Sequence, residues 1–173
     1  WSWEDDGPGY TSPIATELDG VKQLVTQTQN FCVGLDLSTG TLLWRIPYTT
    51  AYDQNIVTPA VYNQTLIFSG IDKGTTALRP HKNNNTWTTE QLWHNPEISM
   101  YMSSPVLSDP LLFGLSHKRR GHFFCLDARS GKTLWTSPSR QADNATLTLV
   151  AHHLFLLTTN ADLIIAPATP NSF

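Results

Sequence analysis

Tyr52-Asp53-Gln54-Asn55 sets a phenol, a carboxylate and two amides side by side. Such a run could orient a bound polar ligand through several hydrogen bonds, or tie its own loop to a neighbouring element. The basic run His117-Lys118-Arg119-Arg120 could grip a carboxylate or a phosphate, and it suits a solvated loop equally well. Asp72, Lys73 and Tyr101 add two charges and a phenol to the candidates for a ligand site. Asp5-Asp6 pairs two carboxylates beside Gly7-Pro8-Gly9, a setting in which adjacent acids are ordinarily just exposed. His152-His153 are adjacent, and neighbouring side chains on an extended chain point apart, so no shared metal is read there. There is no His-Glu-x-x-His, no nucleophile elbow and no phosphate-cradling glycine loop. No residue pattern compels catalysis.

Composition narrows the class. The 173 residues are 40% hydrophobic but only 14% charged, and their formal net charge is −3. A low charge fraction with many Thr, Ser, Asn and Gln suits an all-β protein, whose turns and outer strand faces are polar without being ionic. A negative balance argues against a nucleic-acid partner. No stretch approaches the ~20 apolar residues of a membrane span. Cys32 and Cys125 fall at inner strand positions of two different units, and buried free thiols are expected of them.

The elements that must position the candidates are repeated. Asp36-Leu-Ser-Thr-Gly40-Thr-Leu-Leu-Trp44 returns as Asp127-Ala-Arg-Ser-Gly131-Lys-Thr-Leu-Trp135. Trp1, Trp44, Trp93 and Trp135 divide the chain into units of about 40–50 residues, the period of a four-stranded propeller blade. Ser12-Pro13, Thr58-Pro59 and Ser104-Pro105 each mark the start of a first strand, where a residue without an N–H is tolerated. Short apolar runs separated by turn residues follow, with no helical period. In the turn between third and fourth strands, Asp36 and Asp127 accept backbone N–H groups while Gly40 and Gly131 supply a positive φ. The closing Trp is large enough to pack across the gap to the next blade. In the second unit Arg79 to Glu90 lacks this turn and is longer, which predicts a protruding hairpin or a mobile loop.

The expected architecture is all-β: a β-propeller of four-stranded antiparallel blades, with units at approximately 1–44, 45–93, 94–135 and 136–173. Three units are full, and the fourth ends without its last strand. Trp1 reads as the tail of a last strand belonging to a preceding blade.

The stretches Gly34-Leu-Asp36 to Trp44 and Cys125-Leu-Asp127 to Trp135 resemble the pyrroloquinoline-quinone-like β-propeller repeat, with degenerate copies at Ala77-Leu78 to Trp93 and Ile164-Ile165-Ala166. The resemblance covers essentially the whole chain and is carried by structural residues. It implies a ring of seven or eight blades, of which this chain is about half, and a bacterial periplasmic or secreted protein. Members of the family include quinoprotein dehydrogenases, a propeller lipoprotein of the outer-membrane assembly machine and many secreted propellers. The dehydrogenases use a vicinal disulfide over the cofactor and a carboxylate/amide set on calcium. This sequence has no Cys-Cys pair, and of a calcium set only Asp53 and Asn55 are found.

The resulting expectation is a non-catalytic scaffold that binds a protein, peptide or small ligand at its loop face, with no cofactor or metal. The alternative is part of a quinone-dependent dehydrogenase, with pyrroloquinoline quinone and calcium, whose other site residues lie outside the chain. The partial ring further predicts self-association, or the remainder of a longer chain, to cover its open blade faces.

Overall fold

The computed structural model describes residues 1–173 and contains four antiparallel sheets laid out in chain order as propeller blades. Blade 1 comprises β1 (Ile14–Leu18), β2 (Val21–Gln27), β3 (Phe31–Asp36) and β4 (Leu42–Pro47). Blade 2 comprises β5 (Ala60–Tyr62), β6 (Thr65–Ser69), β7 (Thr75–Asn83) and β8 (Thr86–Asn95). Blade 3 holds β9 (Val106–Ser108), β10 (Leu111–Ser116), β11 (His122–Asp127) and β12 (Thr133–Thr136). Blade 4 has three strands, β13 (Ala145–Val150), β14 (His153–Thr158) and β15 (Leu163–Pro167). The units anticipated from the tryptophans and prolines are these sheets. β1, β5 and β9 each begin one residue after the proline that announces them.

The core is divided among the three blade junctions, because strand side chains alternate between the two faces of a blade. In β11, Phe124 and Leu126 face blade 2, where they join Val57, Ile67, Ala77 and Leu112. Their neighbours Phe123 and Cys125 face blade 4 and pack with Trp135, Leu147, Leu154 and Leu156. Leu18, Val25, Cys32, Trp44 and Leu66 fill the gap between blades 1 and 2. Burying a large apolar side chain is worth about 1.5–3 kcal/mol before the entropy of ordering it is subtracted, so apolar contact at these junctions is what holds one blade to the next. Both cysteines are buried free thiols. On the far side of blade 4, Val150, Leu157, Leu163 and Ile165 are exposed, and they form an apolar face with no blade against it.

The repeated turn works as a clamp between blades. Asp36 Oδ1 accepts the N–H groups of Ser38 and Thr39, both at 2.9 Å, and Asp127 Oδ1 accepts that of Arg129 at 2.9 Å. Gly40 and Gly131 close these turns at φ of 74° and 69°. A tryptophan from earlier in the chain lies against each glycine, Trp1 on Gly40 and Trp93 on Gly131. Trp93 Nε1 donates to Ala128 O at 3.1 Å, and Trp1 Nε1 donates to Leu37 O, the equivalent carbonyl, at 3.2 Å. Trp135 repeats the contact on Thr169 O at 2.8 Å, and Phe173 stacks close by on Phe123.

Trp44 departs from this rule. The blade it should clamp has no turn, because β7 and β8 run on together as far as Asn83 and Thr86. Trp44 therefore lies over Gly34 of its own blade and donates to Gln23 Oε1 at 2.7 Å. The β7–β8 extension is a hairpin and not an unstructured loop. It leans back on blade 1, with Trp87 packed against the first junction and Lys82 N–H donating to Asp19 Oδ2 at 2.6 Å.

Candidate functional site

In every blade the loop into the first strand and the loop between second and third strands emerge on the same face, opposite the Trp clamps. That topology brings all nine predicted ligand residues, Tyr52, Asp53, Gln54, Asn55, Asp72, Lys73, Tyr101, His117 and Lys118, to one surface. It also separates them by role. Tyr52 is 89% exposed, whereas Asn55 is fully buried.

Asn55 is a structural hub. Its Nδ2 donates to Thr28 O and Tyr48 O, each at 2.8 Å, and to Gln29 O at 3.2 Å. Its Oδ1 accepts the hydroxyl of Thr50 at 3.1 Å, and its backbone oxygen accepts Tyr10 N–H and Thr11 Oγ1. One amide thus satisfies loops of blades 1 and 2 that would otherwise bury bare carbonyls. Ser99, which sequence reasoning did not single out, does the same one blade on. It donates to Gly70 O at 2.8 Å, accepts Gly74 N–H at 3.2 Å, and its carbonyl accepts His117 N–H at 2.9 Å. A buried serine in a polar loop gives no distinguishing signal in the sequence.

Above these hubs the outer side chains bond across blades. Gln29 Nε2 donates to Asp53 Oδ2 at 3.1 Å. Tyr101 OH donates to Gln54 Oε1. The Tyr101 ring meets His117 edge-on at 6.4 Å, and His117 Nε2 lies 3.2 Å from Asp72 Oδ1. Lys118 Nζ donates to Pro96 O at 2.6 Å. Tyr52 and Lys73 project outward. Nearer the chain start, burial works to raise the Asp6 carboxyl, but hydrogen bonds from the Thr28 hydroxyl, from the side chain and N–H of Asn30 and from Gly7 bring it below the usual range.

The backbone of this face is held in the left-handed region at several residues other than glycine. Tyr52 has φ 60°, Asp53 54°, Asp72 58°, Arg119 55° and Arg120 63°. Each such residue costs about 1–2 kcal/mol, so the packing below fixes the loops against their own preference. The better-formed cavities open away from Tyr52 to Asn55. The largest, about 520 Å³, lies on the outer flank of blade 1 around Gly20, Lys22 and Asp36. Two smaller ones of about 230 Å³ flank the Lys118–Arg120 turn.

Asp53 and Asn55, the residues weighed as calcium ligands, do not fit that role together. The Asn55 oxygen accepts the Thr50 hydroxyl, its amide nitrogen faces three carbonyls, and Asp53 accepts from Gln29. No group of three or more His, Cys, Asp or Glu residues is arranged to hold a metal ion.

Blades joined by Trp-on-turn contacts, with hydrogen-bonded loops on the opposite face, define a quinoprotein-like β-propeller scaffold. The sequence pattern of the family described as outer membrane protein assembly factor BamB matches residues 1–137, and the chain belongs to that family. BamB from Moraxella catarrhalis superposes with a TM-score of 0.64 at 18% identity over 91% of this chain and 49% of that one. The chain therefore spans about half the length of that relative. The computationally designed Ika4 protein is similar at a TM-score of 0.66 and 9% identity, over 96% of this chain and 94% of that one. A quinohemoprotein alcohol dehydrogenase, ADHIIG from Pseudomonas putida HK5, gives 0.54 at 18% identity over 78% of this chain and 21% of that one. At such identities the likeness concerns the fold alone. Among curated protein sequences no match is found.

Proposed function

We propose that the chain is a non-catalytic binding scaffold that presents its loop face to a protein or peptide in the bacterial periplasm or outside the cell. The observation that carries the reading is the chain of contacts Gln29–Asp53, Gln54–Tyr101 and His117–Asp72, which joins loops of three blades into one polar surface. A surface fixed in this way loses little conformational entropy on binding, which favours recognition. The family's description as an assembly factor supports the same reading, as does the engagement of Asn55 in holding loops. The open apolar face of blade 4 would be covered by a further blade, from a longer chain or from a second copy. A monodisperse monomer with cooperative unfolding would refute that part.

The binding reading is tested by site-specific photocrosslinking in periplasm, with the crosslinker at Tyr52 on the loop face or at Lys132 on the opposite rim. Adducts of defined mass from Tyr52 alone are expected. Adducts from neither position, or equal adducts from both, would overturn the assignment of the face. Dye-linked alcohol oxidation that depends on added quinone and calcium would instead establish the dehydrogenase reading.

A further inference from the structure

The basic end of the loop face goes beyond a generic scaffold. Lys73, Lys118, Arg119, Arg120 and Arg140 cluster there on the loops of blades 2 to 4, although the chain as a whole is acidic. Arg120 and Arg140 come from different loops and line one cavity of about 230 Å³, together with Ala142, Asp143 and Asn160. Arg129 with Asp127 is the only arginine–carboxylate pair of the protein, so neither guanidinium is paired with a carboxylate, including that of Asp143. The loop backbones that carry them are tied together. Gln141 N–H donates to Gly121 O at 3.0 Å, and Asn160 Nδ2 donates to Gln141 O at 3.1 Å, which ties three loops together around the cavity. Gly121 sits at φ 83°, and a Cβ there would lie within 2.8 Å of the Ala142 carbonyl carbon. Arg120 and Arg140 both hold left-handed backbone, at φ 63° and 65°, so the loops that carry them are set before any ligand arrives.

We infer that Arg120 and Arg140 form a two-pronged site for a carboxylate side chain of an acidic polypeptide segment docking across blades 3 and 4. Two guanidinium forks suit a planar carboxylate, and their two positive charges outweigh the single Asp143 carboxylate that lines the same cavity. The site deepens the scaffold reading and rests on it. Its test is separate, because it uses a defined probe in place of the native partner.

The probe is a fluorescein-labelled Glu-Ala repeat peptide, followed by anisotropy with the full chain at low and high salt. Arg120→Gln and Arg140→Gln should each weaken binding about tenfold, the scale of one lost charge-assisted contact. Lys22→Gln and Lys132→Gln, which remove the same charge elsewhere, should change it by less than about twofold. Arg140→Lys should fall between wild type and Arg140→Gln, because a point charge cannot replace the fork. Both arginines are exposed, so unchanged urea midpoints are expected of the variants. Equal weakening by the lysine variants would reduce the effect to net charge and overturn the site. Wild-type binding by both arginine variants would do the same. Displacement of the peptide by equimolar inorganic phosphate would assign the cavity to phosphate and overturn the carboxylate assignment. Failure of any of these leaves the Tyr52 crosslinking result standing on its own.

Discussion

Replacing Gly131 by alanine isolates the contact that joins blade 2 to blade 3. The substitution does two separable things. It places a Cβ on a residue at φ 69°, which costs about 1–2 kcal/mol for an L-residue. It also drives that Cβ into the Trp93 indole, 2.6 Å from Cδ2 and 2.9 Å from Cζ3. The ring must lift, with an overpacking cost of about 1–3 kcal/mol and the loss of the Trp93 Nε1 bond to Ala128 O, worth about 1 kcal/mol net. The expected total is about 3–6 kcal/mol. Gly20 supplies the control within the same chain. It lies in a turn at φ 75° with nothing within 4 Å of a built Cβ, so Gly20→Ala should cost only the backbone share, about 1–2 kcal/mol. Urea unfolding followed by far-UV circular dichroism measures both. A double-mutant cycle completes the test, because in a Trp93→Ala background the cost of Gly131→Ala should fall to that of Gly20→Ala. If Gly131→Ala costs no more than Gly20→Ala, or the cycle shows no coupling, the Trp-on-turn clamp does not hold the blades.

Trp44→Phe should cost about 1–3 kcal/mol by the same urea assay, because it strips the buried Gln23 Oε1 of its donor, whereas Trp1→Phe at an exposed position should be nearly neutral. Asn55→Ala should cost about 2–4 kcal/mol, and Asn55→Asp more, since it turns a carboxylate toward three carbonyls. Hydrogen bonds from Ser38 and Thr39 lower the Asp36 carboxyl, and the Arg129 side chain beside it lowers that of Asp127. A depressed folded-state value contributes stability above the ordinary carboxylate range that is lost as pH falls through the folded value. Asp36→Asn and Asp127→Asn should therefore flatten the loss of urea midpoint below about pH 4. Burial pushes both thiols up to about 12, so Cys32 and Cys125 should resist a disulfide reagent at pH near 8 and react only after denaturation.

The clamp was legible in the sequence because every part of it is local or periodic. Asp36, Gly40 and Trp44 have their chemistry written at fixed spacing, and Asp127, Gly131 and Trp135 repeat it. What Trp44 does was not legible, because its partner is decided by the next unit, where β7 and β8 continue in place of a turn. The loop face was legible as a face, since strand order alone determines which loops emerge together. The roles within it were not. Tyr52-Asp53-Gln54-Asn55 reads as four similar side chains, yet the path of the loop turns Asn55 inward and Tyr52 outward. Arg140 stands alone in a Ser/Pro segment and lines the same cavity as Arg120 because Gln141 bonds to Gly121.

On the scaffold reading proposed above, the two rims of the propeller divide the work between stability and recognition. On one rim Trp93 and Trp135 each bond to the next blade's unit, and Trp1 ties the start of the chain to the turn of blade 1. On the other, Asn55 and Ser99 satisfy buried carbonyls beneath the surface, so the side chains above them are held in place without being part of the core. That separation gives substitutions a position-dependent signature. Changes at Asn55 or Ser99 should lower stability and binding together, because the loops collapse. Changes at Tyr52, Arg120 or Arg140 should leave the fold intact and alter only what the face holds. A sequence run that could do chemistry therefore has to be divided side chain by side chain before a function is assigned to it. In Tyr52 to Asn55 the residue with the richest hydrogen bonding is the one committed to the fold.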